Sequence, residues 1–79
     1  MNLQRKKKEL VRVSILFKNR KMKVFSVETP KGNFTVIDYA DRKSMKRDTE
    51  IYYTEHTDQV KPHTEEYKMV NSYVDDFLS

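Results

Sequence analysis

The sequence predicts a small α+β protein, in which a curled antiparallel sheet of about four strands is followed by one C-terminal amphipathic helix. Two observations lead to this fold class. Before Pro62, apolar and polar residues alternate in short stretches, which is typical of half-buried strands; after Pro62, apolar residues recur every three or four positions, as in a helix. The 79 residues provide one hydrophobic core and no second one. A small SH3-like or OB-like barrel is a variant of this arrangement, and the sequence does not choose between these forms.

The chain starts with a basic arm, residues 1–8, that contains four consecutive positive side chains, Arg5–Lys8. Like charges in such a run repel one another, so the run favours a flexible arm until a counter-charge is present. We therefore predict a flexible arm followed by one folded domain over residues 9–79.

The first predicted strand covers residues 9–17 and the second covers 22–28. Both alternate apolar and polar side chains and contain β-branched residues, which is the pattern of a strand with one buried face. The polar segment Lys18–Lys21 separates them as a turn. One apolar face of the first strand is expected to contain Val11, Val13, Ile15 and Phe17.

The clearest turn signal is the segment Thr29–Asn33. Pro30 presets φ for the second position of a turn, and Gly32, the only glycine of the chain, stands where a tight hairpin needs a positive φ. This segment predicts a hairpin that joins the second strand to a third strand over residues 34–39.

The charged segment 40–48 is compatible with a loop or a short helix. A fourth strand is predicted over residues 49–54, because this stretch contains Ile51, Tyr52 and Tyr53, which are good strand formers. A helix is predicted over residues 64–78, where apolar residues form a stripe at helical spacing. Thr64 is its expected N-cap, and acidic residues in the first turn are favoured by the helix dipole.

Charge is distributed unevenly along the chain. Residues Met1–Arg47 carry 14 basic and four acidic side chains, a net of +10, whereas Asp48–Ser79 carries two basic and eight acidic side chains, a net of −6. A positive excess over half of a small protein attracts polyanions, whatever the fold. This asymmetry is the strongest functional signal in the sequence.

Most catalytic chemistry is excluded by composition. The absence of cysteine excludes thiol nucleophiles and cysteine-ligated zinc, and a single glycine excludes glycine-rich phosphate loops. His56 and His63 lie in a predicted loop at a spacing that matches no metal motif. We therefore expect a protein that is not an enzyme and has no metal or cofactor. Without a signal peptide or an apolar run of ~20 residues, it is expected in the cytoplasm and not in a membrane.

The favoured hypothesis is a small nucleic-acid-binding protein that binds the phosphates of DNA or RNA with the Lys and Arg side chains of its N-terminal half. The phenylalanines are expected in the core, whereas tyrosines on an exposed sheet face would stack on unpaired bases. The predicted binding residues are Arg5, Lys6, Lys7, Lys8, Arg12, Lys18, Arg20, Lys21, Lys23, Arg42, Lys43, Lys46 and Arg47, together with Tyr39, Tyr52 and Tyr53.

The alternative is a protein-interaction module, such as a phage-type modulator or inhibitor of a host protein. There the basic surface contacts an acidic protein, and the helix or a sheet edge supplies an apolar anchor. A core of this size typically contributes only ~3–5 kcal/mol of net stability, so a partner or a homo-oligomer would help to complete it. A complex that survives nuclease treatment distinguishes this alternative from nucleic-acid binding.

Overall fold

A computed structural model of the protein describes residues 10–41 and 46–79, with side chains for 10–39 and 48–79. The predicted arm, residues 1–8, therefore lies outside the described residues, as do Arg42 and Lys43. The elements in chain order are β1 (Arg12–Lys18), β2 (Met22–Thr29), β3 (Gly32–Asp41), β4 (Lys46–Tyr53), β5 (Gln59–Val60) and α1 (Glu65–Leu78).

The five strands form one antiparallel sheet in which each strand pairs with its neighbours in sequence, in the order β1-β2-β3-β4-β5. The predicted antiparallel sheet and C-terminal helix are confirmed. Within the described residues, β1 and β5 are the two edges and do not pair with each other, so the sheet is open rather than closed into a barrel. The fifth strand was not predicted, because two residues are too short to show an alternating pattern.

The charged segment 40–48 was expected to be a loop or a short helix, but its two ends belong to strands. The pairing of β3 with β4 continues through Tyr39 opposite Asp48 to Asp41 opposite Lys46. Backbone hydrogen bonding along an existing ladder thus extends both strands into a stretch whose composition disfavours a sheet. The described part of the third strand is longer at both ends than predicted.

The core lies between one face of the sheet and α1, and its residues follow the alternation of the strands. In the middle of β2 and β3 every second residue is buried, and the helix contributes two valines one turn apart. The buried apolar residues are Phe25, Val27, Phe34, Val36, Ile51, Val60, Val70 and Val74. The expectation that the phenylalanines are core residues is confirmed for Phe25 and Phe34 and is wrong for Phe17 and Phe77, which are 50% and 45% exposed.

The helix begins and ends with hydrogen bonds that its sequence supplies. Thr64 is the N-cap, as predicted, and its hydroxyl oxygen accepts from the backbone N–H of Tyr67 at 3.2 Å. At the other end, the backbone N–H of Ser79 donates to the carbonyl oxygen of Asp75 at 3.1 Å. These contacts satisfy polar groups that a helix end otherwise leaves without partners.

Two positions of the described backbone have a positive φ. Gly32 closes the β2–β3 hairpin with φ 145°, which confirms the predicted need for glycine there. Thr57, in the turn between β4 and β5, has φ 56°. A β-branched residue in this region is uncommon, because its side chain crowds the backbone.

Candidate nucleic-acid interface

One end of the sheet brings together strand ends from the basic half of the chain. The β1–β2 turn lies there, because β1 ends at Lys18 and β2 begins at Met22. Met22 pairs with Tyr39 near the end of β3, and Asp41 pairs with Lys46 at the start of β4. We refer to this end of the sheet as the basic end.

Four bases of the basic end have described side chains: Lys18, Arg20, Lys21 and Lys23. The first three are exposed, and Lys23 is half-buried. None of the four forms an ion pair with another residue of the described ranges. The charges of Lys18, Arg20 and Lys21 therefore face solvent and are available to a polyanion, whereas Lys23 pairs across the sheet with the buried Asp38. The backbones of two further bases, Lys46 and Arg47, lie at the same end, opposite Asp41 and Ala40.

The turn that carries these bases is fixed by the side chain of Asn19. Its Oδ1 accepts hydrogen bonds from the backbone N–H of Lys21 at 2.8 Å and of Met22 at 2.9 Å. The backbone N–H of Asn19 donates to the carbonyl oxygen of Met22 at 2.9 Å. An Asx-type turn of this kind holds the backbone without a left-handed residue, so Arg20 and Lys21 project from an ordered loop.

The structure does not bring all of the predicted bases together. Arg12 pairs with Glu28 near the other end of β1 and β2. At about 3.3 Å per residue, it lies roughly 20 Å along the strand from Lys18. Arg12 therefore belongs to a different surface from the basic end. The predicted arm residues Arg5–Lys8 lie outside the described residues.

The face of the sheet opposite α1, which we refer to as the open face, carries an apolar group next to the basic end. Because Phe25 is in the core, strand alternation directs the residues on either side of it to the open face. Val24 pairs there with Ile37, and Met22 pairs with Tyr39. Tyr39 is 36% exposed, and the other three are half-buried.

Phe17 also lies on the open face, so the prediction that it shares a face with Val11, Val13 and Ile15 is wrong. Ile15 pairs with Phe25 on the core side, but the register shifts by one residue between Ile15 and Phe17. This irregularity has the character of a β-bulge, which re-aims the side chains beyond it. Phe17 consequently pairs with Val24 and is 50% exposed. Sequence reasoning missed it as a candidate binding residue.

The three tyrosines predicted to stack on bases lie on different faces. Tyr39 and Tyr52 are on the open face, where Tyr52 pairs with Thr35. Tyr53 is on the side of the helix, with its ring centroid 5.5 Å from that of Phe34, and it donates a hydrogen bond to Glu66. Tyr53 therefore joins the sheet to the helix and is not part of the open face.

Strand β4 gives the open face an acidic edge. Asp48 pairs with Tyr39, and Glu50 pairs with Ile37. Tyr52 donates a hydrogen bond to Oε1 of Glu50 at 2.9 Å, and this bond raises the pKa of the Tyr52 phenol. Carboxylates repel a phosphate backbone, so the part of the open face that suits a polyanion is the side formed by β1, β2 and β3.

The two histidines lie apart from the basic end. His56 Nδ1 is 3.3 Å from Asp58 Oδ2, and the His56 ring stacks on that of Tyr53 at a centroid distance of 5.0 Å. His63 is exposed just before the helix. No group of three or more metal-ligating side chains occurs within the described part of the chain.

A shallow recess of about 360 Å³ lies between β4 and α1 and is lined by Thr49, Tyr67, Asn71 and Asp75. The phenol of Tyr67 donates to the backbone carbonyl of Thr49 at 3.1 Å, and burial raises the pKa of this phenol. Thr49 in turn donates to the buried carboxylate of Asp38 at 3.4 Å. These polar groups hold the helix on the sheet, so the recess has a structural explanation.

Comparison with known proteins does not identify a relative: no protein-family model matches the chain, and no curated protein or solved structure is significantly similar to it. None of the described helical residues forms a segment long and apolar enough to cross a lipid bilayer.

Proposed function

We propose that the protein binds nucleic acid, with the basic end contacting the phosphate backbone. One observation carries the proposal: the fold places Lys18, Arg20 and Lys21 at one end of the sheet, where these side chains are exposed and have no ion-pair partner among the described residues. Phosphates require such distributed, solvent-facing charges, because affinity comes from neutralising phosphates and releasing their condensed cations.

The acidic residues favour binding of a polyanion at one defined surface over non-specific binding around the whole protein. Asp48 and Glu50 border the open face on β4, and the helix carries Glu65 and Glu66 in its first turn. A polyanion is repelled from these regions and attracted to the β1–β2 turn. The acidic part of the chain thus orients the ligand on the basic end.

A salt titration tests the proposal. Fluorescence anisotropy is measured with labelled single-stranded and double-stranded DNA and RNA oligonucleotides between about 50 and 300 mM salt. If four phosphates are neutralised, the slope of log affinity against log salt is about −3 to −4. Binding that does not depend on salt, or no binding at 50 mM salt, contradicts the proposal.

Two charge-matched triple variants locate the site. K18E/R20E/K21E reverses the exposed bases of the β1–β2 turn and leaves Asn19, which fixes the turn, unchanged. K31E/K61E/K68E reverses three exposed bases elsewhere in the chain. Both change the net charge equally, so a general charge effect lowers the two affinities equally. We expect the first variant to lose binding and the second to retain most of it.

The second candidate function is a protein-interaction module that uses the edge of β1. Three consecutive residues of this edge strand are exposed and apolar: Ile15 at 45%, Leu16 at 61% and Phe17 at 50%. Phe77 and Leu78 at the end of α1 are also exposed, and the Phe77 ring packs edge-on against Phe25, the pairing partner of Ile15. An apolar edge strand suits pairing with an extended segment of another protein.

A pull-down after nuclease treatment tests this alternative. A stoichiometric complex that forms with the wild type and is lost in Leu16→Lys supports it. Leu10→Lys is the matched control, because Leu10 is exposed but precedes β1. Loss of the complex on nuclease treatment, or equal effects of the two substitutions, contradicts edge pairing.

A further inference from the structure

The open face contains an aromatic side chain that the regular strand pattern would have directed elsewhere. Before the register shift in β1, residue pairs run from Arg12 opposite Glu28 to Ile15 opposite Phe25; continued unchanged, they would pair Phe17 with Lys23 on the helix side. The shift pairs Phe17 with Val24 instead and leaves its ring half-exposed to solvent. Exposing an aromatic ring costs hydrophobic free energy, which an ordinary strand avoids by burying it.

Phe17 does not stand alone on this face. Val24 and Ile37 follow it across the sheet, and Met22 and Tyr39 form the next pair toward the basic end. Phe17 on β1 and Tyr39 on β3 are two strands apart, roughly 10 Å in the direction of the backbone hydrogen bonds. The two aromatic rings, with aliphatic side chains between them, form an apolar platform on the open face.

The platform adjoins the basic side chains that are proposed to bind phosphates. Arg20 and Lys21 lie in the exposed turn beyond β1, and Lys21 directly precedes Met22 of the platform, whereas Lys18 pairs with Lys23 on the helix side of the same end. When the phosphates of a nucleic-acid strand lie along the β1–β2 turn, its nucleobases therefore lie over Phe17 and Tyr39. The positive charge beside the platform selects a polyanionic occupant over an uncharged apolar one.

We propose that Phe17 and Tyr39 stack on unpaired bases, so that the protein selects single-stranded over double-stranded nucleic acid. This inference rests on the proposed nucleic-acid binding. In a duplex the faces of the bases are covered by their neighbours in the stack, whereas in a single strand they are free to stack on aromatic side chains.

The first test compares the affinity of a 12-nucleotide single strand with that of a 12-base-pair duplex at one low salt concentration. A stacked base typically contributes about 1–3 kcal/mol, which corresponds to roughly 5- to 150-fold in affinity. We expect the wild type to prefer the single strand and F17A/Y39A to lose at least about fivefold in single-strand affinity, with duplex affinity and salt slope unchanged. Phe77→Ala is the matched control, because Phe77 is similarly exposed but lies on the helix.

The second test reads stacking directly. The chain has no tryptophan, so Phe17→Trp introduces a single indole whose emission a stacked base quenches. We expect a single strand to quench this emission and a duplex not to do so, while Phe77→Trp responds to neither. The conservative Phe17→Trp variant also retains single-strand affinity, which a merely structural requirement for phenylalanine would not predict.

The outcomes separate this inference from the function on which it rests. Salt-dependent binding of single strand and duplex with equal affinity, unchanged by F17A/Y39A, overturns the stacking inference and leaves the phosphate contacts standing. Equal losses for both ligands in F17A/Y39A overturn it as well, because they show a general effect on the fold. No binding of any oligonucleotide at low salt overturns both and leaves the open face as a candidate surface for a protein partner.

Discussion

The phenol of Tyr53, the last residue of β4, donates a hydrogen bond to the carboxylate of Glu66 in the first turn of α1. This bond to a carboxylate raises the pKa of Tyr53 above its ordinary value of 10.0. In the unfolded chain the pKa returns to that value. The stabilising effect of the raised pKa is therefore complete below pH 10 and is lost as the pH rises through the folded-state value.

We accordingly expect the free energy of unfolding to fall above pH 10, and to fall less in Tyr53→Phe. The measurement is urea denaturation at pH 9 and at pH 11 for the two proteins. Part of the decrease will remain in the variant, because Tyr52 and Tyr67 also have raised pKa values. Identical decreases in the wild type and Tyr53→Phe would show that this hydrogen bond does not form in solution.

The core tolerates little loss of volume. Ile51 is fully buried, and Ile→Val in such a site typically costs about 0.5–1.5 kcal/mol, whereas Ile→Ala costs about 2–5 kcal/mol. A domain of this size retains only ~3–5 kcal/mol, so we expect Ile51→Val to fold and Ile51→Ala to be largely unfolded. Thermal unfolding followed by circular dichroism measures both. Leu16→Ala, at a residue 61% exposed, is the control and should stay within about 0.5 kcal/mol of the wild type.

The turn between β4 and β5 contains a residue in a strained conformation, so substitutions there are expected to differ in stability. Thr57 has φ 56°, a conformation that asparagine tolerates better than a β-branched side chain. We expect Thr57→Asn to be more stable than Thr57→Ala by about 1 kcal/mol, because both lose the bond from the Thr57 hydroxyl to the His56 carbonyl but only asparagine suits the backbone. Chemical denaturation of the two variants checks this. Equal stabilities would mean that the turn relaxes away from the positive φ.

The N-cap of α1 gives a prediction that depends on one oxygen atom. Thr64→Ala removes the acceptor for the Tyr67 N–H and the donor to the Lys61 carbonyl at 2.8 Å, so we expect a loss of about 0.5–2 kcal/mol. Thr64→Ser keeps the hydroxyl and should retain most of the stability. Urea denaturation at neutral pH measures both. If serine were as unfavourable as alanine, the methyl group rather than the cap would be responsible.

Local signals in the sequence predicted the features that depend on local geometry. Gly32 and Thr64 were assigned correctly, because a positive φ at a hairpin and a hydroxyl at a helix start each follow from a few neighbouring residues. The sequence also predicted the order of sheet and helix, since the two hydrophobic periods differ along the chain. Strand β5 was missed, because Gln59 and Val60 become a strand only by pairing with Tyr52 and Ile51.

The candidate site was harder to predict, because it depends on strand register. Alternation from Val11 to Phe17 suggested one apolar face, but Leu16 adds an apolar residue where a polar one was expected. Three apolar residues in succession are a signal that the two-fold pattern is interrupted, although they do not tell which residue is the extra one. Likewise, Arg12 and Lys18 were grouped because both are basic, but they lie at opposite ends of β1, and the length of this strand keeps them apart.

The position of α1 after the strands affects the order in which the core is completed during synthesis. All five strands precede the helix, so a growing chain contains Phe25 and Phe34 well before Val70 and Val74 have been added. Until these valines have been synthesised, the apolar face of the sheet is exposed to solvent and can associate with other nascent chains or with a chaperone. The helix therefore has to follow the strands out of the ribosome before the core side of the sheet is covered.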